Sequence, residues 1–200
     1  MGHRSGSEAP GEGMRTPEGC KAQETDGSSG ARGLSAAMQI HPTLIVGYGN
    51  PDRGDDGVGF FLVNAVRARL GLRPLEATET GLEDLTGRVD AVFLLQLVPE
   101  LIETLSRYDR VIFVDAHVGD ETPEVDARLL VPHYTLSAFT HHVTPETLLA
   151  MVGLLAPEVP PGHLVSIKGH SFDFRQGLSA PTQRLLGRAL RLVEEILEGP

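Results

Sequence analysis

Two adjacent carboxylates, Asp55 and Asp56, lie in a glycine-rich stretch over residues 47–59 that follows the first apolar run. The stretch lacks the Gly-x-Gly-x-x-Gly spacing of a dinucleotide site, because Gly54 comes two positions late. Aspartates also stand where a pyrophosphate would need bare amides. We expect Asp55 to cap the helix that follows. Asp56 either favours the positive end of that helix or binds a ligand.

A further carboxylate, Asp115, directly follows the apolar run Val111–Val114, and His117 comes two residues later. Placing a carboxylate at the end of a buried strand is costly unless it gains a partner or a metal ion. The structural alternative is an aspartate whose oxygens bind loop amides. Asp115 by itself leaves both interpretations open.

Two adjacent histidines, His141 and His142, come shortly before Thr144 and Pro145, which predict a helix start with a threonine cap and proline at its first position. Neighbouring side chains of an extended segment point to opposite sides, so one imidazole can face a site while the other faces away. Two carboxylates and one imidazole with open positions would suit a divalent ion such as nickel, zinc or iron.

The apolar runs predict how these side chains are positioned. Four runs are continuous rather than alternating, as in strands buried on both faces of a parallel sheet: Thr43–Val46, Ala91–Leu95, Val111–Val114 and Leu164–Ile167. Weaker strand candidates are Arg73–Thr78 and Ala127–Val131, and helical periodicity covers 58–70, 101–105, 148–155 and 185–197. We therefore predict a three-layer α/β/α sandwich with a largely parallel central sheet. Ligands of such sheets bind at the carboxyl edge, where Asp56 and Asp115 are expected to meet.

Composition limits the function classes. Residues 1–40 are rich in glycine, serine and glutamate without apolar periodicity, and we expect a disordered leader there and one domain over residues 41–200. The net charge of −10 argues against nucleic-acid binding, and no apolar run is long enough to cross a membrane. The single cysteine, Cys20, leaves the domain without thiol chemistry. These features are typical of a cytoplasmic domain, which we expect to be a monomer.

The ordered set of motifs resembles the hydrogenase maturation protease family. It consists of the stretch over residues 47–59, the Val-Asp-Ala word around Asp115, and His141 ahead of a helix. The resemblance implies an endopeptidase that removes the C-terminal extension of a nickel–iron hydrogenase large-subunit precursor after nickel insertion. It implies metal ligation by Asp56, Asp115 and His141, with the two aspartates catalytic. Some members have glutamate in place of Asp56.

Three further residues, Asp55, His117 and His142, are candidates for hydrogen bonding to the ligands. The metal is either nickel that arrives with the substrate or another, resident divalent ion, in which case one carboxylate would act as general base.

Two alternatives remain at the level of sequence. One is a non-catalytic nickel-binding checkpoint module that recognises the loaded subunit. The other is a signalling receiver domain, in which Lys168 would be the lysine after a late strand. The glycine-rich stretch over residues 47–59 does not belong in such a domain.

Overall fold

A computed structural model describes residues 41–134 and 143–199. It contains five strands and four α-helices: β1 (Thr43–Tyr48), α1 (Val58–Arg69), β2 (Val89–Leu94), α2 (Ile102–Leu105), β3 (Arg110–His117), β4 (Val125–Leu129), α3 (Pro145–Leu155), β5 (Gly162–Lys168) and α4 (Ala180–Glu198). Short 3-10 turns cover Gly54–Gly57, Leu82–Asp84 and Pro99–Leu101. The expected leader, His141 and His142 lie outside the described residues.

The strands form one mixed sheet in the order β2-β1-β3-β5-β4. The first four strands of that order are parallel, and β4 at the edge runs antiparallel to β5. Residue Gly47 of β1 pairs with Val114 of β3, so both strands reach the carboxyl edge at nearly the same height. The order differs from the 2-1-3-4-5 order of receiver domains at the last position, where this sheet ends in the antiparallel strand β4.

Helices cover both faces of the sheet. Helices α1 and α4 pack on one face over a core that includes Ile45, Ile112 and Val165. Helices α2 and α3 pack on the other face, over Val46 and Phe113 among others. The predicted three-layer sandwich with a mostly parallel sheet is therefore confirmed. None of the helices in the described ranges is long and apolar enough to span a membrane.

One local prediction is wrong and another is confirmed. The segment Arg73–Thr78 forms no strand, because the amide and carbonyl of Leu75 bind the side chain of Asn64 at 2.7 and 3.1 Å instead of a neighbouring strand. Thr144 caps α3 as expected, and its hydroxyl accepts a hydrogen bond from the amide of Thr147.

Two glycines let the start of α1 lie directly against the sheet. A Cβ atom on Gly47 would lie 2.5 Å from the carbonyl oxygen of Gly59. A Cβ atom on Gly59 would lie 2.7 Å from both the amide nitrogen and the carbonyl oxygen of Tyr48, and 3.1 Å from the carbonyl oxygen of Val114. All these neighbours are backbone atoms, which cannot rotate away as a side chain would. The glycines therefore fix how closely the turn before α1 approaches the ends of β1 and β3.

Replacing Gly59 by alanine should lower the free energy of unfolding by about 1–3 kcal/mol, the usual cost of overpacking. Gly187 is the matched control, because it also lies in a helix but its Cβ would meet only the Arg191 guanidinium, at 3.9 Å. Gly187→Ala should be neutral or stabilising by up to about 1 kcal/mol. Urea unfolding measures both changes, and equal stabilities of the two variants would contradict the close-packing interpretation.

Candidate functional site

Asp56 lies in the 3-10 turn that leads from β1 into α1, and its side chain is half-buried. Its Oδ2 atom accepts a hydrogen bond of 3.0 Å from the amide of Asn50. Gly49 adopts a φ of 124°, and a Cβ there would lie 2.0 Å from the carbonyl oxygen of Asp56. Gly49 and Asn50, which follow β1, therefore hold the backbone and the side chain of Asp56 close to the end of that strand. Among the described residues, Oδ1 of Asp56 accepts no hydrogen bond, which leaves it available to a ligand.

Asp115 extends from β3 toward the face covered by α2 and α3, because it alternates with the buried Val111 and Phe113 of that face. Its Oδ1 atom accepts a hydrogen bond of 2.7 Å from the amide of Ala116. Burial raises the pKa of Asp115 to about 6, although hydrogen bonds from Tyr48 and Ala116 act in the opposite direction. The negative charge of Asp56 raises that pKa further, so the two carboxylates lie within electrostatic range of each other.

Tyr48 is a site residue that the sequence motifs did not single out. It is the last residue of β1, one position beyond the Gly47–Val114 pair, and it lies on the same face as Asp115. Burial, together with the nearby charge of Asp115, raises the pKa of Tyr48 above its ordinary value. The Tyr48 hydroxyl therefore stays protonated, and it is close enough to the Asp115 carboxyl to lower the pKa of that group. A prediction of the register between β1 and β3 would have placed Tyr48 beside Asp115 and so identified the pair.

Asp55 points away from Asp56 and does not cap α1, whose N-cap residue is Gly57. Its fully buried carboxylate instead accepts hydrogen bonds from the segment between β5 and α4. Burial alone would raise the pKa of Asp55, but the bonds from Ser179, His170 and Thr182 outweigh it and lower that pKa to about 2. The capping expectation was wrong because a distant segment supplies better donors than the first turn of the helix.

His117 lies two residues beyond Asp115 on the same face of β3. Burial lowers its pKa, and the charged groups around it are Asp126 and Lys168. Within the described ranges it makes no hydrogen bond to Asp56 or Asp115. Lys168 itself forms an ion pair with Asp120.

The donor set at this edge suits a divalent cation in part. The charge of Asp56 raises the pKa of Asp115, no cationic group of the described residues lowers it, and a bound cation would remove this repulsion. Across residues 41–134 and 143–199, no group of three His, Cys, Asp or Glu side chains could hold a metal ion. A third protein ligand would therefore have to come from the undescribed residues, among which are His141 and His142.

Comparison with solved structures identifies the same fold in known endopeptidases. The hydrogenase-maturating endopeptidase HybD from E. coli aligns at 22% identity over 78% of this chain and 91% of its own, with a TM-score of 0.54. The [NiFe] hydrogenase maturation protease HycI from Thermococcus kodakarensis aligns at 21% identity over 80% and 94%, with a TM-score of 0.54.

A hydrogenase 2 maturation peptidase from a Thaumarchaeota archaeon aligns at 23% identity over 78% of this chain and 97% of its own, with a TM-score of 0.52. No protein-family model matches the chain, and no curated protein matches it. The chain therefore shares the fold of these endopeptidases.

The raised pKa of Asp115 predicts an unusual dependence of stability on pH in metal-free protein. Between pH 4 and pH 6 the folded state keeps a proton on Asp115 that the unfolded chain has released, so the contribution of Asp115 to the free energy of unfolding falls as pH rises. A shift from 3.8 to about 6 corresponds to about 3 kcal/mol.

Asp115→Asn should remove this contribution and keep the contacts with Tyr48 and Ala116. With EDTA present, the variant should be more stable than the wild type at pH 7, and the difference should shrink toward pH 4.5. Urea unfolding at several pH values measures it. Stability curves that run parallel over this range would contradict the assignment.

Proposed function

We propose that this protein is a hydrogenase maturation endopeptidase that cuts the C-terminal extension from a nickel–iron hydrogenase large-subunit precursor after nickel insertion. The observation that carries the proposal is the placement of Asp56 and Asp115 at the carboxyl edge of the sheet, where the charge of Asp56 raises the pKa of Asp115 and no cationic group of the described residues lowers it. The shared fold supports it, because the solved proteins with this fold include endopeptidases of hydrogenase maturation.

The proposed ligand set is Asp56, Asp115 and His141. Helix α3 begins on the side of the sheet where Asp115 lies, and the charge of Glu146 in its first turn acts on Tyr48. His141 comes three residues before the capping residue Thr144 in the sequence and lies outside the described residues, so its place in the proposed ligand set rests on the sequence motif.

A divalent ion bound there would polarise the scissile carbonyl or lower the pKa of a water molecule. The chain's own residues orient and desolvate the reacting groups. The Ala116 amide orients Asp115 beside Tyr48, and the Asn50 amide does the same for Asp56. We propose that nickel arrives inside the precursor as part of the substrate, so that the site becomes complete only with a loaded subunit. A resident divalent ion is the alternative source.

Incubation of the protein with nickel-loaded and nickel-free precursor, followed by mass measurement, tests this function. The wild type should shorten the loaded precursor. Asp56→Ala and Asp115→Ala should each slow cleavage by more than about 100-fold, because even residues that only orient ligands cost 10- to 100-fold. Asp109 is the matched control, because it is an exposed aspartate directly before the first residue of β3, at the opposite end of the strand from Asp115. The variant Asp109→Ala should cleave the precursor at the normal rate.

Normal cleavage by Asp115→Ala would contradict the assignment of the site. A wild type that binds the loaded precursor and leaves its mass unchanged would favour the non-catalytic checkpoint module instead.

The choice between the two adjacent histidines can be tested by metal binding. We predict that His141→Ala loses bound metal and that His142→Ala retains it, because only one of two neighbouring side chains can face the site. Equilibrium dialysis with Ni²⁺ measures the occupancy of each variant. The reverse result would move the ligand by one position, to His142.

A further inference from the structure

The carboxylate of Asp55 is the most heavily hydrogen-bonded side chain at this end of the sheet. Its side chain is fully buried. Oδ2 accepts bonds from the amides of His170 and Ser171 at 2.7 and 2.9 Å, and from the hydroxyls of Ser179 and Thr182 at 2.7 and 2.8 Å. Oδ1 accepts a bond of 2.6 Å from the amide of Ser179. Five donors from one distant segment thus converge on two oxygens.

These donors belong to the loop 169–179 between β5 and α4 and to the first turn of α4. Backbone hydrogen bonds also attach loop 169–179 to the turn before α1, which contains Asp56. The amide of Gly54 donates to the carbonyl of Arg175, the amide of Asp55 to the carbonyl of Ser171, and the amide of Arg175 to the carbonyl of Asp52, each at 2.9 Å. Loop 169–179 is therefore bound to the turn before α1 through backbone groups as well as through the Asp55 side chain.

Asp56 follows Asp55 directly and is held on its other side by Gly49 and Asn50. The carbonyl of Asp56 lies against Gly49, and its Oδ2 atom binds the Asn50 amide. The five bonds to Asp55 on one side and the contacts of Asp56 with Gly49 and Asn50 on the other restrain the backbone between the two aspartates, and with it the direction of the Asp56 side chain. Without the Asp55 carboxylate, loop 169–179 would have to satisfy its donors elsewhere, and this constraint would be lost.

We propose that Asp55 is a positioning residue that holds Asp56 in its ligand-binding orientation by fastening loop 169–179 to the turn before α1. Its relevance to catalysis rests on the proposed endopeptidase function. Asp55 itself is directed away from the site and touches neither a ligand nor a substrate.

The chain offers a matched control in Asp90, near the amino end of β2. Asp90 is 2% exposed and its carboxylate accepts four hydrogen bonds: from the amide and hydroxyl of Thr86 at 2.9 Å each, the amide of Gly87 at 2.8 Å and the hydroxyl of Tyr108 at 2.8 Å. It lies at the opposite edge of the sheet from Asp56. Loss of either carboxylate should destabilise the fold, but only the loss of Asp55 should disturb the site.

The experiment compares full-length wild type, Asp55→Asn and Asp90→Asn at a temperature at which all three are folded. Two quantities are measured: the affinity for Ni²⁺ alone, and hydrogen exchange at the Asn50 amide, which reports its bond to Asp56. Asp55→Asn should weaken Ni²⁺ binding by about 10- to 100-fold, the range for residues that orient metal ligands. It should also speed Asn50 exchange by at least about 10-fold beyond its change in global unfolding. Asp90→Asn should change neither quantity beyond that global change.

Equal effects of the two variants on Asn50 exchange would overturn the proposal, because they would reduce Asp55 to a contributor to stability. Unchanged Asn50 exchange in Asp55→Asn would overturn it as well. Should Asp55→Asn fail to fold, Ser179→Ala removes one of the five donors and should show the same two effects at smaller size. Asn50 exchange requires neither metal nor precursor, so it still decides the role of Asp55 if the wild type cuts no precursor.

Discussion

The candidate site depends on how closely the turn before α1 can approach the ends of β1 and β3. Gly47 and Gly59 permit that approach, because any side chain at either position would collide with backbone atoms. A parallel sheet brings its strand ends to one edge, but this alone leaves carboxylates on neighbouring loops several ångströms apart. Because Gly47 and Gly59 have no side chains, the turn with Asp56 can lie within electrostatic range of Asp115. Gly47 and Gly59 of the glycine-rich stretch therefore serve close backbone packing.

Two neighbouring aspartates of the same turn and a third on β3 show how environment divides the roles of one residue type. Asp55 is fully buried, yet five donors keep it ionised, and its pKa falls to about 2. Asp115 has a tyrosine hydroxyl and one amide, which do not outweigh its burial and the charge of Asp56, and its pKa rises to about 6. A carboxylate whose two oxygens accept several hydrogen bonds from the protein stabilises the fold. A carboxylate that accepts few hydrogen bonds and lies near a second negative charge is suited to bind a cation.

Sequence patterns were sufficient for the layers of the fold and for the location of Asp56 and Asp115 at the carboxyl edge of the sheet, because continuous apolar runs mark buried strands and the ends of those strands share an edge. These patterns gave a wrong prediction where a side chain takes the place of backbone pairing between strands. Asn64 pairs with the backbone of Leu75, so the predicted strand over Arg73–Thr78 has no partner strand. They also missed Tyr48, which is recognised only through its register with β3, and they assigned Asp55 to the nearest helix because its donors lie more than a hundred residues away. Short-range patterns carry no information on such pairs.

The attachment of loop 169–179 has a consequence for synthesis on the ribosome. The turn with Asp55 emerges early, but the amide and hydroxyl of Ser179 that bind its carboxylate lie 124 residues further along the chain. Until that segment has left the exit tunnel, the turn lacks its support, and β3 lacks its pairing with β5. A nascent chain can therefore assemble β1, β2 and β3, but it holds Asp56 and Asp115 in their final arrangement only after residues 169–182 have emerged. The order of synthesis thus delays the final geometry of the candidate site until this late segment is present.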